Sequence, residues 1–221
     1  MDITQAMKER HAVRAYTDKP IPEEIKQQLQ NKITELNKKS GLHIQLICDE
    51  PKAFDGFMAH YGKFSGVTNY IAMIGKKSSD LPEKIGYYGE QLVLYAQELG
   101  LNTCWVAMTY SKVKSAYKLG PGEKLSMVIP VGYGKTQGVA HKSKAASEVS
   151  ETDGTKAEWF EKGVQAALLA PTAMNQQKFR LVKKGEKVQA LPGKGFYTKI
   201  DLGIVKLHFE IGAGKENFKW A

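Results

Sequence analysis

The feature that most constrains this chain is a partial similarity to itself. Shifted by 135 residues, the segment 22–39 lies on 157–174 without a gap. Ile25 then falls on Phe160, Leu29 on Val164 and Ile33 on Leu168, the spacing of one apolar helical face. The following residues stay in step, with Ile44 on Phe179 and Leu46 on Leu181, where alternation reads as a strand. A second match appears at a shift of 112, placing Leu92 on Ile204, Tyr95 on Leu207, Leu99 on Ile211 and Gly100 on Gly212. The shifts differ by 23 residues, so the second copy lacks that much between its strand and its long helix. The loop and strand around residues 53–75 are the piece expected to be missing. The 221 residues thus divide into a first half at 1–134, a linker at 135–154 and a truncated second half at 155–221.

Local signals fill in the elements. Residues 2–10 read as a short helix, and Pro20 and Pro22 mark a turn and the start of a helix over 23–38 that Gly41 stops. Leu42–Cys48 alternates like a strand, 53–62 is helical, and Tyr70–Ile74 is a buried strand. A long helix over 84–99 ends at Gly100, followed by a short strand at Cys104–Met108, a helix at 111–118 and a buried strand at Leu125–Gly132. The polar run 135–154 has no apolar period and reads as an extended linker.

Several function classes drop away. The net charge of +9 invites a nucleic-acid partner, but the lysines are spread along the chain and the aromatic residues mostly lie in apolar segments. No zinc-finger or helix-turn-helix pattern accompanies them, so the surplus favours small anions such as phosphates and dinucleotides. No apolar run approaches the roughly 18–20 residues of a membrane helix. The charged N-terminus lacks the apolar core of a signal peptide, so a cytoplasmic location is expected. Cys48 and Cys104 sit in apolar contexts and read as buried free thiols. The five histidines show no metal-ligand spacing, and no metal is expected. Gly132–Thr136 mimics the end of a phosphate-binding loop, but Ile129 stands where its first glycine must be. No Ser or Cys sits in a nucleophile elbow.

Chemistry is expected where the copies disagree. Against Leu36–Ile44 of the first copy, the second reads Pro171-Thr172-Ala173-Met174-Asn175-Gln176-Gln177-Lys178-Phe179. Proline ends a helix, and small polar residues then bring backbone N–H groups and an amide side chain close to a ligand. The same pattern also fits an ordinary helix end and turn. Arg10 and Arg14 likewise read equally as a solvated cluster or as a phosphate clamp.

The segment Pro171-Thr172-Ala173-x-Asn175-x-Gln177-x-Phe179 resembles the Pro-Ser-x-x-Asn-x-Gln-Pro-Trp motif of the nitroreductase family. Arg10-His11-x-x-Arg14-x-Tyr16, followed by Pro20, resembles that family's opening Arg-Arg-Ser-x-Arg-x-Phe segment. Gly100-Leu101-Asn102-Thr103-Cys104-Trp105 is similar to its Gly-Leu-Gly-Thr-Cys-Trp, and Pro130-Val131-Gly132-Tyr133 to its Pro-x-Gly-Tyr strand end. The order departs from the family, whose Asn/Gln motif follows the first long helix. In the usual family homodimer one subunit gives the arginine segment and its partner the Asn/Gln motif. The repeat accounts for the rearrangement if the second half plays the partner.

This resemblance implies an α+β, nitroreductase-like fold. A central, mostly antiparallel sheet is flanked by helices, and two related halves form an intrachain pseudo-dimer. It implies an FMN-dependent oxidoreductase that passes hydride through flavin N5, from NADH or NADPH to a nitroaromatic, quinone or similar small electron-poor acceptor. The expected order is ping-pong, with no obligatory side-chain acid. The flavin phosphate falls to Arg10, Arg14 and the His11 backbone, completed by Lys142 and Lys144. Lys63 supplies a cation near N1 and O2, His60 a ring contact, and the Ala107 or Met108 amide a donor to N5. Pro171, Thr172, Ala173, Asn175 and Gln177 close over the flavin from the second half. Met174, Lys178 and Ala12 depart from the family pattern. A second, symmetric site is expected to be dead. The expected state is a monomeric pseudo-dimer with no nucleic-acid or membrane partner. A flavin carrier or sensor without turnover, and a basic nucleic-acid-binding protein, are the alternatives.

Overall fold

The computed structural model describes residues 1–154 and 157–221, so the first two residues of the expected second half lie outside the described residues. The chain forms two units, one of Met1–Leu81 with Leu92–Ala140, the other of Pro82–Gln91 with His141–Ala221.

The first unit opens with α1 (Ile3–Glu9), capped by the Asp2 side chain, and α2 (Glu23–Ser40), which buries Leu29, Ile33 and Leu36. The C-terminus of α2 passes into Gly41 at φ 70, the left-handed turn-off that glycine makes without strain. Strand β1 (Gln45–Ile47) follows. Then come a single 3-10 turn at Lys52–Phe54, the five-residue helix α3 (Phe57–Tyr61) and β2 (Tyr70–Lys76). Helix α4 (Leu81–Glu98), β3 (Asn102–Thr103) and β4 (Glu123–Gly132) come next. The sheet runs β1-β2-β4-β3, antiparallel throughout. Six of the seven β2 residues are buried, which explains their continuous apolar run. Phe54 anchors the core at 5.1 Å from Phe64 and 5.9 Å from Tyr70, both edge-on.

The second unit contains α5 (Ala146–Val149), β5 (Ser150–Glu151) and α6 (Glu158–Ala167). The antiparallel pair β6 (Phe179–Lys184) and β7 (Lys187–Pro192) precedes α7 (Thr198–Ala213) and β8 (Lys219–Trp220). Its sheet runs β5-β6-β7-β8, with β5 and β8 parallel to their neighbours. Phe209 lies at 5.0 Å from Phe218, 5.5 Å from Trp220 and 5.7 Å from Phe160.

Three local expectations change. Residues 111–118 are not helical: turns occupy 114–116, and the Gln45 side chain bonds the Lys118 carbonyl and amide at the end of the segment. The strand expected at Cys104–Met108 lies at Asn102–Thr103, with only a bridge from Val106 to Val128 beyond it. The polar run 135–154 contains α5 and β5 and buries Val149, because β5 pairs with β6. Helix α6 stops at Ala167, before Pro171, where proline was expected to end it.

The repeat also changes in its second part. In both copies a helix, two antiparallel strands and a long helix follow in order. Strand starts Tyr70 and Lys187, helix starts Leu81 and Thr198, and glycines Gly86 and Gly203 are each 117 residues apart. The register is therefore 117, and Gly212 is no counterpart of Gly100. Gly212 lies inside α7, which ends at Gly214 (φ 76). The strand β2 has its counterpart in β7. What the second copy lacks is the excursion over 48–69, replaced by the turn at 185–186.

Within the second unit α4 and α7 cross at these two glycines. A Cβ on Gly86 would strike the Ile200 carbonyl oxygen and approach the Ile204 nitrogen; one on Gly203 would strike the Glu83 carbonyl oxygen and approach the Tyr87 nitrogen. The contact is reciprocal, since each glycine meets the carbonyl three residues before, and the nitrogen one residue after, the other. That is the form of an isologous contact, here made within one chain. Gly86→Ala or Gly203→Ala is expected to cost about 3 kcal/mol, read as a lowered midpoint in chemical denaturation. Gly185→Ala, at a glycine with nothing within 4 Å, is expected to cost less despite its positive φ.

Candidate functional site

In the first unit, residues 10–17 form an irregular strap tied to three other segments. The Val13 amide donates to the Thr103 carbonyl at 3.0 Å, and Ser65 and Tyr16 exchange bonds through Arg14 and Ser65 carbonyls at 3.0 and 2.9 Å. Lys135 closes the strap with a 2.9 Å bond to the Ala15 carbonyl. The Tyr16 hydroxyl is buried and donates to the Val13 carbonyl at 2.9 Å. Burial, with Cys104 adding and Arg14 opposing, pushes its pKa well above the usual tyrosine range, so it stays a donor. Arg10 is buried, His11 half-buried and Arg14 exposed. Burial raises the Cys104 thiol, against the opposing charges of Arg14 and Arg10.

His60 and Lys63 lie on the 48–69 excursion. Both are exposed, and Lys63 has φ 61 with its amide bonded to the His60 carbonyl at 2.8 Å. Gly56 and Gly62 flank α3, packed against Ser111 and Thr109 respectively, so α3 runs beside residues 109–111. Ala107 and Met108 precede that segment, Ala107 half-buried and Met108 66 % exposed. The unit thus brings the arginine strap, through Ser65, to the His60 and Lys63 loop, and that loop to Ala107 and Met108. Exposed Phe57 and Tyr61 on α3 give this region large apolar surfaces.

In the second unit, the segment after α6 is strained. Met174, Asn175 and Gln177 have φ of 51, 53 and 44°, left-handed values uncommon for residues with a Cβ. Specific bonds hold them. The Thr172 carbonyl accepts from the Asn175 amide at 2.9 Å, and its Oγ1 from the Gln177 amide at 3.0 Å. The Asn175 side-chain amide donates to the Lys142 carbonyl at 2.9 Å. The Gln177 side chain is buried; its Nε2 donates to the Lys142 carbonyl and Asn175 Oδ1, and its Oε1 accepts from the Lys144 amide, all at 2.9 Å. Lys144 Nζ reaches the Gln177 carbonyl at 3.2 Å. The structure therefore gathers Lys142, Lys144, Thr172, Asn175 and Gln177 into one constellation. Gln177 is its scaffold, with an amide directed at protein partners. Pro171 and Ala173 are half-buried beside it.

Sequence reasoning missed Asp201, in the first turn of α7. It is 3 % exposed; Oδ1 accepts from the Ala173 amide at 3.0 Å and Oδ2 from Gln176 Nε2 at 2.7 Å. Burial pushes its carboxyl up to about 6, against those two hydrogen bonds, which lower it. The available signal was an acid set inside the apolar run Ile200–Val205.

The remaining polar groups of this unit tie helices together. His208 and Glu90 are fully buried, with Nε2 and Oε1 2.9 Å apart, and His208 Nδ1 donates to the Ala166 carbonyl at 3.2 Å. Glu210 accepts from the Tyr87 hydroxyl at 2.5 Å and Trp220 Nε1 at 2.7 Å. Among the described residues no group of three or more His, Cys, Asp or Glu could hold a metal ion, and no helix is long and apolar enough to cross a membrane.

Because the folded-state pKa of Asp201 is raised, its proton is bound more tightly in the folded than in the unfolded chain. Its contribution to stability is full below the ordinary carboxylate pKa and is lost as pH rises through about 6. Wild type is therefore expected to lose up to about 3 kcal/mol relative to Asp201→Asn between pH 4 and 7. Paired denaturant titrations across that range check it.

A family model described as "Putative TM nitroreductase" matches residues 2–213. Among solved structures, a "putative nitroreductase" of Thermotoga maritima aligns at TM-score 0.68 and 24% identity, covering 98% of this chain and 85% of that one. A nitroreductase family protein of Streptococcus pneumoniae aligns at 0.54 and 14% identity, over 68% of this chain and 99% of its own. A "Putative NADH dehydrogenase/NAD(P)H nitroreductase" of Bacteroides thetaiotaomicron aligns at 0.50 and 19%, over 66% and 95%. These likenesses are of fold. No curated protein matches the chain.

Proposed function

This chain belongs to the "Putative TM nitroreductase" family, and from that premise we propose that it is an FMN-dependent oxidoreductase with one flavin site per chain, contributed by both copies of its repeat. When bound, FMN would supply the redox chemistry, hydride transfer between NADH or NADPH and an electron-poor acceptor such as a nitroaromatic or quinone.

The residues present fit that group. The observation that carries the reading is the strap of the first unit, which is fixed by backbone bonds and carries two arginines, Arg10 and Arg14, within one turn of chain. Guanidinium forks suit a dianionic phosphate, because they offer charge-assisted, often bidentate bonds. In the proposal Arg10, Arg14 and the His11 backbone hold the phosphate, with Lys142 and Lys144 adding charge from the second copy. Lys63 lies on an exposed loop beside His60, where a cation favours the negative charge of reduced flavin. His60 would contact the ring, and the Ala107 or Met108 amide would serve N5. Pro171, Thr172, Ala173 and Asn175 close the site, and the buried Gln177 fixes their loop.

The coverage of relatives supports the two-copy part. Proteins matching over 95% and 99% of their own length use only 66% and 68% of this chain, leaving about a third beyond one copy. In the proposal that surplus replaces a partner subunit. The protein then works as a cytoplasmic, monomeric pseudo-dimer on small-molecule substrates, without a nucleic-acid or membrane partner.

The purified protein is expected to be yellow or to take up one FMN per chain. NADH or NADPH should bleach it, and a quinone or nitroaromatic should restore the colour. Arg14→Gln and Asn175→Ala should each weaken FMN at least roughly ten-fold, the scale of one charge-assisted hydrogen bond, read by flavin fluorescence titration. A well-folded protein that binds no FMN would overturn the reading; one that binds without bleaching would be a flavin carrier or sensor.

A further inference from the structure

We infer that Asp201 is the positioning residue of the Thr172–Gln177 loop, its carboxylate holding that turn in its left-handed form from the start of α7. The consequence for flavin rests on the proposed function; the hold on the loop does not.

Three observations converge on Asp201. It is the only residue whose side chain accepts both from the loop backbone, at Ala173, and from a loop side chain, at Gln176, among the bonds described. Both bonds land beside Met174 and Asn175, the consecutive non-glycine residues at φ 51 and 53°. A conformation of that kind persists only where its surroundings over-determine it. Lastly, Asp201 is rooted in a rigid element. Its own amide is bonded to the Tyr197 carbonyl at 2.9 Å, and α7 is pinned on α4 by the reciprocal glycine contact.

The neighbours of the carboxylate make this hold specific. Its perturbations are burial and the two loop hydrogen bonds. Lys178 after the loop, Lys199 on α7 and Lys84 on α4 are exposed, and Lys206 of α7 is paired with Glu83. Gln176 Nε2 also reaches the Phe196 carbonyl at 2.9 Å, so the amide cannot turn over to suit a donor at position 201 without losing that bond. An acceptor at both oxygens is therefore required. An asparagine keeps the acceptor for Ala173 and presents a donor to Gln176.

The test compares wild type, Asp201→Ala and Asp201→Asn by amide hydrogen exchange without flavin, and by FMN titration. Asp201→Ala is expected to lower protection at Ala173 and its loop neighbours at least ten-fold beyond any change in the β6 and β7 amides, and to weaken FMN roughly ten-fold. Asp201→Asn should recover the Ala173 amide but not the full FMN affinity. Loop protection that falls only in step with the sheet would mean a general stability role and overturn the inference; so would a loosened loop with FMN affinity unchanged. If Asp201→Ala does not fold, Gln176→Ala cuts the same tie from the loop side, and unchanged loop protection there is equally fatal. Loop protection lost as expected in a wild-type protein that binds no FMN would sink the flavin reading and leave the hold of Asp201 on its loop intact.

Discussion

Two backbones meeting without side chains between them are the constraint on which the second unit rests. At Gly86 and Gly203 each helix presents bare backbone to the other's carbonyl, and nothing larger than hydrogen fits. That contact fixes where α7 lies along α4, and so where the first turn of α7 falls. From that turn Asp201 reaches the loop after α6, and from the middle of the helix His208 reaches Glu90 and the Ala166 carbonyl. The close approach of α6 to α7 also relies on glycines, but there Gly163 makes room for the Phe209 ring and Gly212 for the Ala166 methyl.

The candidate site is built on unequal foundations. The arginine strap of the first unit is held by backbone bonds, which any sequence compatible with the fold would make. The loop of the second unit is held by side chains: a threonine hydroxyl, two glutamine amides, an asparagine and one buried carboxylate. Its left-handed residues keep their places only as long as those partners do. Polar networks of this kind specify a unique geometry when every member is satisfied, and lose it when one is removed.

Legibility followed the same division. Helices and buried strands were readable because burial imposes a period, as in Leu29, Ile33 and Leu36 of α2. The repeat was visible at 135, where helix and strand stay in step. Its second register was not, because α4 and α7 are apolar enough to match at several shifts. The element starts and the glycine crossing of the fold select 117. Residues 111–118 misled: a side chain from β1 bonds the backbone at their end, a contact between positions 73 residues apart. The motif residues of the loop were named from sequence, but their clamp was not. Asp201 lies 26 residues past Asn175 and becomes their neighbour only through the fold.

The reciprocal crossing also bears on how this chain can vary. In a homodimer a substitution at such a crossing appears twice, and every pair made across the axis recurs on the other side. Here the counterpart of Glu90 is Leu207 and that of His208 is Gln91, so the buried pair exists once. A buried, hydrogen-bonded pair that would have to be accommodated in duplicate in a symmetric assembly is accommodated singly in this one. The crossing is reciprocal in its backbone and not in the side chains around it, so a residue on one helix can be altered without its counterpart on the other answering.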